Sequence, residues 1–297
     1  MDEMYLKALA KINLGLDVIR KREDGYHEVK MVMQTLKMYD RINIKKINRK
    51  ASNKKDIYVT TNLPYLPSNE NNLVYKAAKL LMDEFDINQG VSINLFKYIP
   101  VAAGMAGGSS DAAAVLYGMN RMFRLGLSME ELMERGVKIG ADVPYCLMRG
   151  TALAEGIGEK LTRLPSCPSC YIVIAKPPIS VSTKFVYENL HANELTTHPD
   201  IEGLIHCMEN NDLVGMCNKM GNVLETVTIP AYPVIEAIKK VMLEQGAIGA
   251  MMSGSGPTVF GIFQELEKAE QTYQILRQGD LANQVYLTEP YNIPRKE

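Results

Sequence analysis

The sequence predicts an α+β protein built from two domains. Three observations carry that expectation. At 297 residues the chain is long for one hydrophobic core. Segments with strand periodicity and segments with helix periodicity fall in groups rather than in strict alternation. The composition shifts near Pro165-Ser166-Cys167-Pro168, a break that divides the chain into domains 1–165 and 166–297.

The elements follow in order. Ala10 to Val18 places Ile12, Leu14, Leu16 and Val18 at alternate positions, and Asp40 to Ile47 alternates likewise, so both read as strands. Between them, Lys21 to His27 contains Asp24-Gly25 and reads as a turn. Asn48 to Asp56 is polar and reads as a loop or hairpin tip. Leu73, Ala77, Leu80, Leu81 and Phe85 form a helical stripe within 72–85. Val91 to Phe96 is a strand that feeds a glycine-rich run, and Ala112 to Phe123 is a helix with Val115, Leu116, Met119 and Phe123 on one side. Ser128 and Glu131 have capping-box spacing and start another helix. In Gly140-Ala-Asp142-Val-Pro144, a further helix begins with Asp142 near the cap and proline in the first turn. Thr151 to Ala154 and Tyr171 to Ala175 are strands. Past Pro177-Pro178 come helical segments around 182–190, 200–210, 211–225 and 232–245, then a glycine-rich turn at 253–257 and a strand from Thr258 to Phe263.

Composition excludes several functions. Apolar residues make up 46% and charged residues 23%, ordinary for a globular protein. The 33 basic and 34 acidic residues nearly cancel, which argues against a broad nucleic-acid footprint. No uninterrupted apolar stretch reaches about 18 residues, and the acidic N-terminus lacks the features of a signal peptide, so no membrane partner is expected. Five scattered cysteines suit a reducing cytoplasm. Cys167 and Cys170 have zinc-pair spacing, but no second pair accompanies them, and no protein-held metal site is expected.

The run Pro100-Val101-Ala102-Ala103-Gly104-Met105-Ala106-Gly107-Gly108-Ser109-Ser110 carries the most chemistry. Glycine lacks a Cβ, so its backbone reaches positive φ and approaches a ligand closely. A following helix start offers unpaired N–H groups and the positive end of the macrodipole, which together suit phosphate oxygens. Ser109 and Ser110 add hydroxyls able to bond a phosphate or help hold Mg2+. The run is not a Walker A loop, because no Gly-Lys-Ser/Thr follows. Phosphoryl transfer also needs a cation and a group that positions or deprotonates the acceptor hydroxyl. Lys11 stands in an apolar strand: alternation alone makes it outward and solvated, whereas an inward lysine requires a partner or ligand. Asp142 reads either as a plain cap or as an orienting carboxylate, stabilised in its charged form by the helix start. Tyr26 and His27 could stack on a nucleobase or bond its edge, though on their own they are a turn with an aromatic neighbour.

Together these segments resemble the GHMP kinases. Lys11 within AKINLGLDV, then GMAGGSSDAAA and MSGSGPTVF, are similar to the three motifs of that family, and they occur in the expected order. KREDGYHEV, GADVPYCL and GTALAEGIGEKL resemble a branch that phosphorylates a cytidyl alcohol of non-mevalonate isoprenoid synthesis. The resemblance implies an N-terminal α/β domain with a left-handed βαβ crossover and a C-terminal α/β domain. It implies use of ATP with Mg2+ and transfer to a 2-hydroxyl. Lys11 and Asp142 would be the catalytic pair, and residues 100 to 110 would bind the ATP phosphates. Asn13, Tyr26 and His27 would face the substrate, with Tyr26 near the cytosine and His27 at its edge. An aromatic residue after Pro177-Pro178 would close over the base, and Tyr187 is favoured over Phe185. The turn 254–256 would close over the phosphate side. Arg149 departs from the family pattern, which has glycine before Gly150, and 192–209 matches no family motif.

Overall fold

A computed structural model describes residues 1–47 and 56–293. The loop expected at 48–56 therefore lies almost wholly outside the described residues. The chain forms two compact units, one of residues 1–10, 38–101 and 106–148, the other of residues 11–37, 102–105 and 149–297. Strands β1 (Glu3–Lys21) and β2 (His27–Lys46) contribute residues to both. Each runs well beyond the strand expected from alternation, because polar side chains on one face continue the pattern outward: Glu3, Tyr5 and Lys7 alternate with Met4 and Leu6.

In the first unit, Arg41 to Lys46 of β2 pair antiparallel with β4 (Val91–Phe96), and β3 (Ile57–Thr61) pairs parallel with β4. The helix α1 (Leu73–Glu84) links β3, a strand not expected from the sequence, to β4, so these three form a βαβ unit. Asn72 caps α1 by accepting the Val74 N–H at 3.0 Å; losing such a cap costs about 1 kcal/mol. The helix buries Val74, Ala77, Ala78, Leu81 and Met82, and each large apolar side chain so buried contributes about 1.5–3 kcal/mol. Helix α2 (Gly107–Phe123) comes close to the sheet at Gly118, where a Cβ would sit 2.6 Å from Leu6 and 2.8 Å from Ile44. Helix α3 (Met129–Val137) carries the complete capping box of Ser128 and Glu131, and α4 (Val143–Met148) follows.

One polar cluster lies inside this unit. The Lys97 ammonium, directly after β4, bonds Asp40 of β2 and Asp111 of α2, the latter at 2.7 Å. Asp40 also accepts the N–H groups of Tyr98 (2.5 Å) and Ile99 (2.8 Å). The three side chains are at most 4% exposed. Asp40 thus receives three donor contacts, while Asp111 receives one.

In the second unit, β5 (Thr151–Gly156) pairs antiparallel with Val29 to Gln34 of β2, and β6 (Lys160–Arg163) pairs with β5. A second sheet has the order β11 (Gln284–Thr288), β7 (Tyr171–Lys176), β10 (Val259–Phe263), β9 (Gly249–Met252). Helices α9 (Val234–Glu244) and α10 (Leu266–Gln278) pack on that sheet. The segment expected as one helix over 211–225 is instead α7 (Leu213–Lys219), the short strand β8 (Gly221–Asn222) and the start of α8 (Glu225–Ala231). Parallel pairing of Gly221 and Asn222 with Gly15 and Leu16 of β1 breaks the helix, a tertiary contact outweighing local periodicity. The remaining helices are α5 (Thr183–Glu188) and α6 (Ile201–Glu209). Arg149 has φ 57°, so the position before Gly150 does take the backbone conformation that favours glycine.

The buried cluster gives a pH signature. Burial foremost, with Asp40 adding and Lys97 opposing, holds the Asp111 carboxyl well above the usual carboxylate range. A raised folded value means stability that is full below the unfolded value near about 3.9 and is lost as pH rises toward the folded value. Asp111→Asn removes that titration. Above pH ~4 the variant should gain on the parent, by up to about 1.4 kcal/mol per pH unit within the window. Urea unfolding of both proteins at about pH 4.5 and about pH 7.5 measures this. A difference that does not change with pH would mean Asp111 is ionised in the fold.

Candidate active site

The glycine-rich run is shaped differently from its sequence reading. Helix α2 begins at Gly107 rather than Ala112, so Gly107 and Gly108 are helical and neither has positive φ. Gly104 does, at 71°, and so do two alanines of the run, Ala102 at 51° and Ala106 at 53°. Left-handed residues thus alternate with others from 102 to 106. Alternating backbone of this kind turns successive N–H groups to one side, forming an anion-binding concavity. Ser110 is buried, its hydroxyl donates to the Leu9 carbonyl at 2.7 Å and its N–H to the Ala106 carbonyl. Both its donors are therefore used within the protein, and it anchors the helix to β1. Ser109 is half-buried, and its Oγ lies 3.8 Å from where a Gly140 Cβ would be. Asp142, two residues on, is half-buried ahead of α4 and its carbonyl accepts the Cys146 N–H at 3.0 Å. The sequence expectation of a helix start at Asp142 is met, and Ser109 and the Gly140 turn are neighbours within the first unit.

Lys11 belongs to the second unit. It points inward, 5% exposed, and its ammonium donates to Asn13 Oδ1 at 2.7 Å. Residues two apart on a strand share a face, which brings the pair together. Alternation misleads here because Ala8 to Val18 are buried on both faces of β1. Asn13 in turn donates to Met31 Sδ at 3.5 Å. The Lys11 N–H donates to the Met105 carbonyl, and Ser253 Oγ donates to the Gly104 carbonyl. The turn 253–256 is held from behind by Asn222, whose amide donates to the Met252 and Gly254 carbonyls at 2.9 and 2.8 Å. Thr183 and Ser255 share a hydroxyl contact of 2.8 Å. Sequence reasoning did not find Asn222; its signal is a carboxamide beside Gly221 in a segment read as helix.

The aromatic residues divide. His27 and Tyr187 are in contact, ring centroids 5.0 Å apart and tilted by 41°. Tyr26 is 61% exposed on the hairpin turn, and Phe185 is 39% exposed on α5. Burial, then Lys21, pushes His27 below its ordinary value, so its imidazole is neutral near pH 7. A neutral imidazole offers one donor and one acceptor, the pattern a pyrimidine edge can meet. Asp17, buried in β1, takes His198 Nδ1 at 2.8 Å, within the stretch 192–209 that matches no family motif. Its signal is an aspartate inside an apolar strand. Among the described residues no group of three or more histidine, cysteine or acidic side chains is arranged to hold a metal, and no helix is long and apolar enough to cross a membrane.

Two glycines separate backbone strain from close approach. Gly126 has φ 76° with open space around it, while a Cβ on Gly104, at φ 71°, would lie 2.1 Å from the Ser253 carbonyl oxygen. Gly126→Ala should cost about 1–2 kcal/mol, the left-handed penalty alone. Gly104→Ala should cost clearly more, because the two turns must separate. Chemical denaturation of both variants tests this, and equal losses would mean that the close approach carries no energy of its own.

Comparison with known proteins places this geometry in a family. The N-terminal domain model of the GHMP kinases matches residues 72–150, and their C-terminal model matches 196–280. A 4-diphosphocytidyl-2-C-methyl-D-erythritol kinase of Lachnospira eligens is 59% identical over 98% of this chain and 99% of its own. A Clostridium perfringens protein of the same name is 50% identical over 97% of this chain and 99% of its own. A crystal structure of 4-(cytidine 5'-diphospho)-2C-methyl-D-erythritol kinase superposes with a TM-score of 0.81 at 29% identity, covering 97% of this chain and 99% of that one. Homoserine kinase from Cytophaga hutchinsonii shares the fold, with a TM-score of 0.74 at 21% identity, covering 97% and 95%. The phosphate-type turn before α2, the inward lysine of β1 and these full-length matches agree: the chain belongs to the GHMP kinase family, in its 4-diphosphocytidyl-2-C-methyl-D-erythritol kinase branch.

Proposed function

We propose that the protein transfers the γ-phosphoryl group of ATP to the 2-hydroxyl of 4-diphosphocytidyl-2-C-methyl-D-erythritol, giving the 2-phosphate and ADP. Full-length identity of 59% to a relative of that name is the observation that carries the reading. The neutral His27 against Tyr187 supports it, since an aromatic and hydrogen-bonding pair suits a cytosine and has no use in a pocket for a small acid.

Phosphoryl transfer is mainly positioning and charge stabilisation. Residues 100 to 109 would hold the ATP phosphates on the backbone N–H groups of the left-handed turn and the start of α2, with Ser110 as the anchor. The Lys11 ammonium would stabilise charge on the migrating group, with Asn13 fixing its direction. Asp142 would orient the acceptor hydroxyl and take up its proton as oxygen bonds phosphorus and the bond to the ADP oxygen breaks. Tyr26, His27 and Tyr187 would hold the cytosine. Magnesium prefers oxygen donors, mostly phosphate and water with one or two protein groups. The Ser109 hydroxyl beside the Gly140 turn, with Asp142 following, fits that demand, and an ion there would neutralise charge between the phosphates. A domain boundary at 165/166 falls between the two family matches, and free thiols on the described cysteines suit a reducing cytoplasm.

ADP release should require the cytidyl substrate, with homoserine and phosphomevalonate inactive. Lys11→Ala and Asp142→Asn should each lower kcat on the order of 100- to 1000-fold while the proteins stay folded. Activity near the parent in either variant would remove that residue from catalysis. Tyr187→Ala should raise KM for the cytidyl substrate about 10- to 100-fold with little change for ATP. Normal KM in Tyr187→Ala beside a crippled Phe185→Ala would assign the stacking to Phe185.

A further inference from the structure

The buried cluster of Lys97, Asp40 and Asp111 has no part in the chemistry above, yet it lies against the first residue of α2. A Cβ on Gly107, the first residue of α2, would sit 3.1 Å from the Lys97 ammonium and 3.2 Å from Ile99. The Lys97 backbone is clamped in both directions by Asn62, whose Oδ1 accepts its N–H at 2.8 Å and whose Nδ2 donates to its carbonyl at 3.1 Å. Asp111 Oδ1 is buried without a hydrogen-bond partner. Burying an ion pair rarely stabilises a fold more than apolar side chains of equal volume would. What the cluster does provide is direction. An ammonium held by the side chains of Asp40 and Asp111, from different elements, fixes where the first turn of α2 lies, and a methyl contact would not.

We propose that Lys97, with Asp40 and Asp111, is a positioning element for nucleotide binding: it holds the first turn of α2 in the geometry that receives the phosphates. The proposal rests on the reading of residues 100 to 109 as the phosphate site. Lys97 acts through Gly107 and its helix, and Asp40 through the N–H groups of Tyr98 and Ile99 that lead into the run.

The test uses the full chain and titrates a non-hydrolysable ATP analogue, with the cytidyl substrate titrated separately. Lys97→Met should weaken analogue binding by about tenfold or more, with cytidyl-substrate binding within about threefold of the parent. Asp111→Ala should behave similarly, and Asp111→Asn should recover most of the loss, since it keeps shape and hydrogen-bonding capacity. The double variant Lys97→Met/Asp40→Asn removes opposite charges together and retains an acceptor for Tyr98 and Ile99. It serves where the single variant does not fold. A folded variant lacking the Lys97 bridge that binds the analogue like the parent overturns the proposal. So does equal weakening of both ligands, which marks a general structural role, and so does failure of both variants to fold. A parent that binds the analogue but releases no ADP with the cytidyl substrate would instead sink the function proposed above and leave this result readable.

Discussion

Within the first unit, the ammonium of Lys97 is the contact on which the arrangement of β2, β4 and α2 depends. It joins Asp40 of β2 to Asp111 of α2, and all three side chains are shut away from water. Because two carboxylates share one lysine, the cluster cannot hold both charges comfortably, and burial decides against Asp111. Removing the lysine alone would strand acidic groups in the interior, the costly way to break such a cluster. The start of α2 is thereby tied to the sheet from below, while Ser110 ties it to Leu9 of β1.

The second unit uses neutral polar contacts for a similar end. Lys11 has the Asn13 carboxamide for a partner, Asn222 reaches two carbonyls of the turn after β9, and Ser253 meets the carbonyl of Gly104. Asn222 and Ser253 keep backbone turns in place without charge. The long strands β1 and β2 supply both Lys11 with Asn13 and the hairpin turn with Tyr26 and His27, so a single hairpin presents the cationic and the aromatic residues.

Much is legible in the chain because the motifs are local. Strand β4 occupies the expected 91–96, α1 starts one residue after its Asn72 cap, and the box at Ser128 and Glu131 forms as its spacing requires. Glycine and serine ahead of a helix former mark a candidate turn for an anion, since that signal belongs to a few adjacent residues. A charged residue in an apolar strand announces Lys11 as a question, though not its answer. The stretch 211–225 reads as one helix because its periodicity is real over α7, and only the partner strand β1 shows where it breaks.

By itself the sequence determined the α+β class and many of its elements, and it marked the residues of the family motifs. Those are properties of short windows, in which composition and period act directly on local backbone. Tertiary structure decided which alanines take left-handed backbone, that Gly107 and Gly108 are helical, that Lys11 faces inward, and that His27 meets Tyr187. It also decided the cluster of Lys97, Asp40 and Asp111. Each of those outcomes depends on atoms many residues away, through burial and hydrogen-bond satisfaction, and such contacts leave no periodic trace in the chain.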